Sequence, residues 1–120
     1  MDVTPLIRRD LNIIQSYKNG QYVIAGQSYT GALSVTADEV FVMPPCAAGE
    51  LNPSMLAHLI GKVEIVLCGS STGGVMPPSA SRRAEFRAAG FSIDLMDIGS
   101  ACRTYNVLVA EGRSVAVILL

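Results

Sequence analysis

The sequence has no tryptophan, one histidine and three cysteines, and its nine Lys and Arg are offset by ten Asp and Glu. Each shortage excludes something. A formal net charge of −1 leaves no basic field to draw in nucleic acid or an anionic membrane surface. No nucleic-acid partner is therefore expected, and the cluster of Arg82, Arg83 and Arg87 reads as the solvated face of a helix. The cysteines Cys46, Cys68 and Cys102 are odd in number and widely spaced, which fits reduced thiols in a cytoplasm-like compartment better than a disulfide framework. His58 has no second His and no Cys at a chelating offset, so no metal site is expected, and no cofactor motif is present. Long hydrophobic runs are missing too. The longest, "VAVILL", falls far short of the roughly 20 apolar residues that cross a bilayer. The opening "MDVTPLIRRD" lacks the charged head and apolar core of a signal peptide, so a cytoplasmic location is the expectation.

What is there is apolar substance. Half of the 120 residues are hydrophobic and 16% are charged, enough for one domain (residues 1–120) with a sizeable core. The two halves differ in rhythm. In "IIQSYKNGQYVIAG" the pair Asn19-Gly20 separates two β-prone runs and supplies the positive φ angles of a type I′ hairpin. "QSYTGALSV" predicts a third strand with Gly31 as a bulge, and "EVFVMPP" a fourth, ended by Pro44 and Pro45. "NPSMLAHLIG" predicts a short helix with Asn52 as N-cap, Pro53 in its first turn and Gly61 past its end. Residues 62–120 then alternate. "KVEIVLCG", "FSIDLMD" and "RSVAVILL" are strands, and "PPSASRRAEFRAAG" and "GSACRTYNVLVAEG" are helices. That is a βαβαβ unit with parallel strands. The expected fold is three-layer α/β, with an N-terminal β-meander leading into one mixed sheet.

In an open sheet of this kind ligands favour the carboxyl ends of the strands, where helices begin. Two loops qualify. One contains Gly69, Ser70, Ser71 and Thr72; the other runs from Asp97 through Gly99 and Ser100. Free N–H groups at a helix start favour an anion. The first loop nevertheless lacks the Lys of a phosphate loop and the spacing of a dinucleotide fingerprint, and a plain connection also needs glycine to turn. Asp97 reads as a general base, or as a cap on its own helix paired with Arg103. Cys102, in the first helical turn, reads as a nucleophile with a dipole-lowered pKa, or as a small buried hydrophobe. Tyr105 fits a core aromatic whose hydroxyl finds a polar partner. Arg103 and Asn106 lie three apart, so the cluster also reads as a polar brace between helix and strand end.

The closing stretch "MDIGSACRTYNVLVAEGRSVAVILL" resembles the end motif of a family that includes the mitochondrial complex I (NADH dehydrogenase) assembly factor 3 and the adipogenesis-associated domain protein. Asp97, Gly99, Cys102, Arg103, Thr104, Tyr105 and Asn106 match the motif Asp-Thr-Gly-Ala-Ala-Cys-Arg-Thr-Tyr-Asn-Val-Leu. The resemblance runs over about residues 11–119, and "YVIAGQSYTGALSV" and "VEIVLCGSS" fit earlier segments of the family. Ile98 replaces a Thr, Ser70 and Ser71 stand where the family has Thr and Gly, and a Trp common before "NPSML" is missing. The resemblance implies a three-layer α/β fold and work by binding. The expected function is a non-enzymatic binding or assembly protein for a respiratory or other membrane complex, with protein partners or copies of itself. The alternative is a small-molecule or anion binder, or an enzyme, using the cleft between Gly69–Thr72 and Asp97–Arg103.

Overall fold

The computed structural model describes residues 11–71 and 78–120. The first part holds β1 (Ile14–Lys18), β2 (Gln21–Ile24), β3 (Gln27–Thr30), β4 (Leu33–Val35) and β5 (Val40–Val42), followed by 3₁₀ segments at Ala48–Glu50 and Pro53–Leu59. After these come β6 (Ile65–Ser70), α1 (Ala80–Ala88), β7 (Ser92–Asp97), α2 (Ile98–Ala110) and β8 (Val115–Leu119). β6 pairs in parallel with both β7 and β8, the βαβαβ unit expected from the alternation of strand and helix. The α/β class with a mixed central sheet and an N-terminal meander is thus present.

Asn19 and Gly20 take φ of 50° and 75°, the hairpin turn that the Asn-Gly pair predicts. The third strand differs from expectation. Gly31 is no bulge; with φ of 89° it swings the chain out of one sheet and into another. β1-β2-β3 therefore form a small antiparallel sheet of their own, while β4 and β5 join a five-stranded sheet ordered β5-β4-β8-β6-β7. The single sheet expected from the sequence is two. The short helix expected after Asn52 is present as a 3₁₀ helix kinked at Leu56 (φ −110°). Its two buried leucines, Leu56 and Leu59, are three apart and so share a face at three residues per turn. Asn52 caps it as expected, its Oδ1 accepting from the N–H groups of Ser54 and Met55.

β8 is central, and all five of its residues are buried. An unbroken apolar run is what a strand covered on both faces requires. Val115, Val117 and Leu119 face α2 and the small sheet, together with Leu33, Val35 and Leu67. Ala116 and Ile118 face the other way, toward Phe86 of α1 and the leucines of the 3₁₀ helix. The layers are thus α2 with the small sheet, the five-stranded sheet, and α1 with the 3₁₀ segments. The first layer positions the site.

Candidate functional site

α2 begins where β7 ends, with no intervening loop. Asp97 is its N-cap: Oδ1 accepts the N–H of Ser100 at 2.8 Å and Oδ2 accepts the Ser100 hydroxyl at 2.9 Å. These bonds, and then the positive charge of Arg103, hold the Asp97 carboxyl below its ordinary value. A carboxylate so stabilised is a poor general base.

One face of α2 lies on β6 and β8. The helix approaches closely because Gly69 has no side chain: a Cβ there would sit 2.9 Å from Ala101 Cβ and 3.3 Å from Ile98 Cα. Gly69 is therefore the floor beneath the helix. Tyr105 is fully buried, and its hydroxyl donates to the Asn12 carbonyl at 2.6 Å. Asn106 grips β1 from both sides, Oδ1 accepting the Ile14 N–H and Nδ2 donating to the Ile14 carbonyl, each at 2.9 Å. Arg103 is exposed, and donates to the hydroxyls of Tyr17 at 2.9 Å and Ser100 at 3.5 Å. Of the reading of Asp97 as a cap paired with Arg103, the cap is present, and among the described residues no nitrogen of Arg103 comes within 4.0 Å of the carboxylate. Gly99 leaves room for the bridge to Tyr17, because a Cβ there would lie 3.0 Å from both Arg103 Nη1 and the Tyr17 hydroxyl. The motif residues thus converge on β1.

Cys102 is separated from this rim. Its side chain is 1% exposed, and burial pushes its thiol up to about 11, with Arg103 only partly opposing the shift. Cys68 lies in the other half of the core and is pushed up to about 12. Burial outweighs any effect of the helix start on Cys102. In the native protein a thiol reagent at mildly alkaline pH is therefore expected to titrate Cys46, the partly exposed thiol, quickly. Cys68 and Cys102 should react only when the chain unfolds; rapid labelling of Cys102 under native conditions would contradict its placement.

A cleft of about 430 Å³ does open at the carboxyl ends of β6 and β7. Ser70, Ser71, Asp97, Ile98 and Gly99 form one wall, and Tyr17, Lys18, Asn19, Gly20 and Tyr22 of the first hairpin form the other. Thr72 lies outside the described residues. The hairpin wall was invisible from the motif, because Tyr17 is 86 residues from its partner Arg103. A cleft with Lys18 and the hydroxyls of Ser70 and Ser71 in its walls can receive a small molecule that carries a polar or anionic group. Among the described residues no cluster of His, Cys, Asp and Glu is arranged to hold a metal ion.

A second concavity, of about 290 Å³, lies against β5 and is lined by Phe41, Val42, Met43, Pro44, Met55 and His58. His58 is tied to this edge: Nε2 lies 2.9 Å from the hydroxyl of buried Ser34, and its ring centroid is 4.7 Å from that of Phe41. Partial burial lowers its pKa, Glu39 opposing the shift and Lys62 adding to it. Phe41 (39%) and Val42 (73%) expose large apolar surface at the groove. The short run "EVFVMPP" gave only a strand; burial is what distinguishes an outer strand from an inner one.

These features define a class of protein, a small α/β domain in which a meander is clamped onto the motif helix of a βαβαβ unit. The same fold occurs in a Bordetella pertussis protein described as a Mth938-like domain, with a TM-score of 0.77, 22% identity and coverage of 100% of this chain and 92% of that one. Residues 14–120 match the model of the family described as "Protein of unknown function (DUF498/DUF598)", and the chain belongs to that family. It is 35% identical over 107 residues to an uncharacterised protein of Rhodobacter capsulatus, covering 89% of this chain and 82% of that protein. It is 27% identical over 110 residues to the "13 kDa major membrane protein" of Francisella tularensis, covering 88% of each.

Proposed function

We propose that this chain is a non-enzymatic binding protein that assists assembly of a respiratory or other membrane complex, contacting polypeptides through the apolar edge at β5. The observation that carries this reading is the exposed pair Phe41 and Val42 on the groove formed with Met43, Pro44, Met55 and His58. Exposed apolar surface collected at one place is what a docking face looks like. The motif residues support the reading from the other side, because Cys102 and Tyr105 are buried and Asn106 is occupied with β1. The name of the Francisella relative places that protein at a membrane, and no helix among the described residues is long and apolar enough to cross one. Association through a protein partner reconciles the two. The resemblance of Asp97–Leu108 to the complex I assembly factor family points in the same direction.

Fractionation of cells producing the tagged chain tests this. The wild-type protein should sediment with membranes and be released by detergent, and Phe41→Asp should move mostly to the supernatant while keeping its fold by circular dichroism. Identical distribution of the two proteins would overturn the reading. The cleft beside Lys18 favours a second reading, a receptor for a small polar or anionic molecule. Under that reading phosphate or a nucleotide should raise the melting temperature of the wild-type chain but not of Lys18→Ala.

A further inference from the structure

We infer that the edge of β5 pairs with β5 of a second copy of this chain, joining two five-stranded sheets into one across a two-fold axis at Phe41. The inference rests on the proposal that this edge is a docking face, and names its occupant. Among the described residues β5 is an outer strand of its sheet, bonded on one side to β4. Which of its backbone groups point outward follows from the register. The Thr36 N–H donates to the Glu39 carbonyl and the Met43 N–H to the Ala32 carbonyl, both at 2.9 Å. Antiparallel partners alternate between hydrogen-bonded and non-hydrogen-bonded pairs. Ser34 and Phe41, which are opposite each other, are therefore a bonded pair, and Val40 and Val42 turn their N–H and C=O groups away from β4 to the open edge.

Two outward-facing residues flanking one inward-facing residue make a self-complementary strand. In antiparallel self-pairing, Val40 of one copy exchanges both hydrogen bonds with Val42 of the other, and the same happens on the far side of the axis. Phe41 then falls opposite itself in a non-bonded pair, where side chains stand closest. The residues Val40 to Met43 carry no charge, so no like charges meet along the paired segment. Glu39, the nearest charged residue to the strand, is bonded to Lys62 at 3.4 Å and lies opposite Met43 of the other copy. Pro44, the next outward position, has no N–H and cannot extend the ladder. The contact is thus limited to one short ladder and closes as a dimer, as an isologous interface does. It also sets the two Phe41-lined grooves side by side, doubling the docking face.

Sedimentation equilibrium from micromolar to millimolar concentration tests this with a charge swap. The wild-type chain should dimerise. Phe41→Asp and Phe41→Lys should each weaken dimerisation by about tenfold or more, and an equimolar mixture of the two should recover it, because the new charges face each other across the axis. Recovery requires the proposed register, so it cannot arise from a folding defect. A wild-type chain that stays monomeric throughout the range would overturn the inference, as would a mixture no better associated than either variant alone. A monomeric wild type that still sediments with membranes and loses this with Phe41→Asp would overturn the dimer alone and leave the docking face standing.

Discussion

Tyr105→Ala is expected to lower folding stability by about 3–5 kcal/mol in urea denaturation, the range for truncating a fully buried aromatic. The ring is completely enclosed between α2, the central sheet and the small sheet, and its packing group includes Ile14, Ile24, Leu33 and Val117. Truncation opens a cavity where two layers meet and removes the donor to the Asn12 carbonyl. Tyr105→Phe keeps the ring and should lose only about 1 kcal/mol, the net worth of one hydrogen bond. The contrast between the two variants separates packing from the hydroxyl bond. A hydroxyl kept for chemistry would give the reverse pattern, with little change in stability in either variant and a loss of activity in both.

Asn106→Leu is expected to cost about 2–4 kcal/mol, because both backbone groups of Ile14 lose their partner while a side chain of similar size remains. Ile14 is 4% exposed, so water cannot readily replace the lost bonds. Ile14 stands opposite Ile24 of β2 at the end of the ladder, where the register shifts between Ile14 and Ser16. Asn106→Asp is the sharper control. It preserves the acceptor for the Ile14 N–H but loses the donor to the Ile14 carbonyl, so it should fall between the wild-type protein and the leucine variant.

The alternation of strand and helix over residues 62–120 was legible because each element is local. Gly90 ends α1 with φ of 94°, and Asp97 caps α2, both positions set by neighbours a few residues away. The same holds for the Asn19-Gly20 turn. What the sequence did not disclose depends on distant parts of the chain. Ala25 takes φ of 50° in the second hairpin turn, a conformation that alanine disfavours, beside a bond from the Gly26 N–H to the Gln15 side chain at 2.7 Å. Gly31 was recognised as a special position, yet whether a positive φ bends one strand or begins a second sheet is decided by where β8 offers an edge to β4.

One wall of the candidate cleft was legible in the sequence, and the orientation of its residues and the opposite wall were not. Asp97, Gly99, Ser100 and Arg103 gather at the end of β7, as their spacing implied, and Ser70 and Ser71 reach the same cleft. Cys102 turns into the core beside Ala101 while its neighbour Arg103 is exposed, since each helical residue is rotated by about 100° from the last. Arg103 was expected to seek a carboxylate; it found the Tyr17 hydroxyl, because the hairpin tip folds back over the start of α2. Tyr17 and Lys18 carry no motif, so nothing short of the fold could bring them to the cleft.

On our proposal the Asp97–Leu108 motif holds the small sheet against α2 through Asn106 and Tyr105, and function lies on surfaces elsewhere. Native-state hydrogen exchange on Asn106→Leu tests it most directly. Amides of β1, β2 and β3 should lose protection selectively, opening as a unit, while those of β6, β7 and β8 keep protection close to the global stability of the variant. Uniform loss of protection across both sheets, or unchanged protection in the small sheet, would contradict the clamp and return the motif to the search for a ligand.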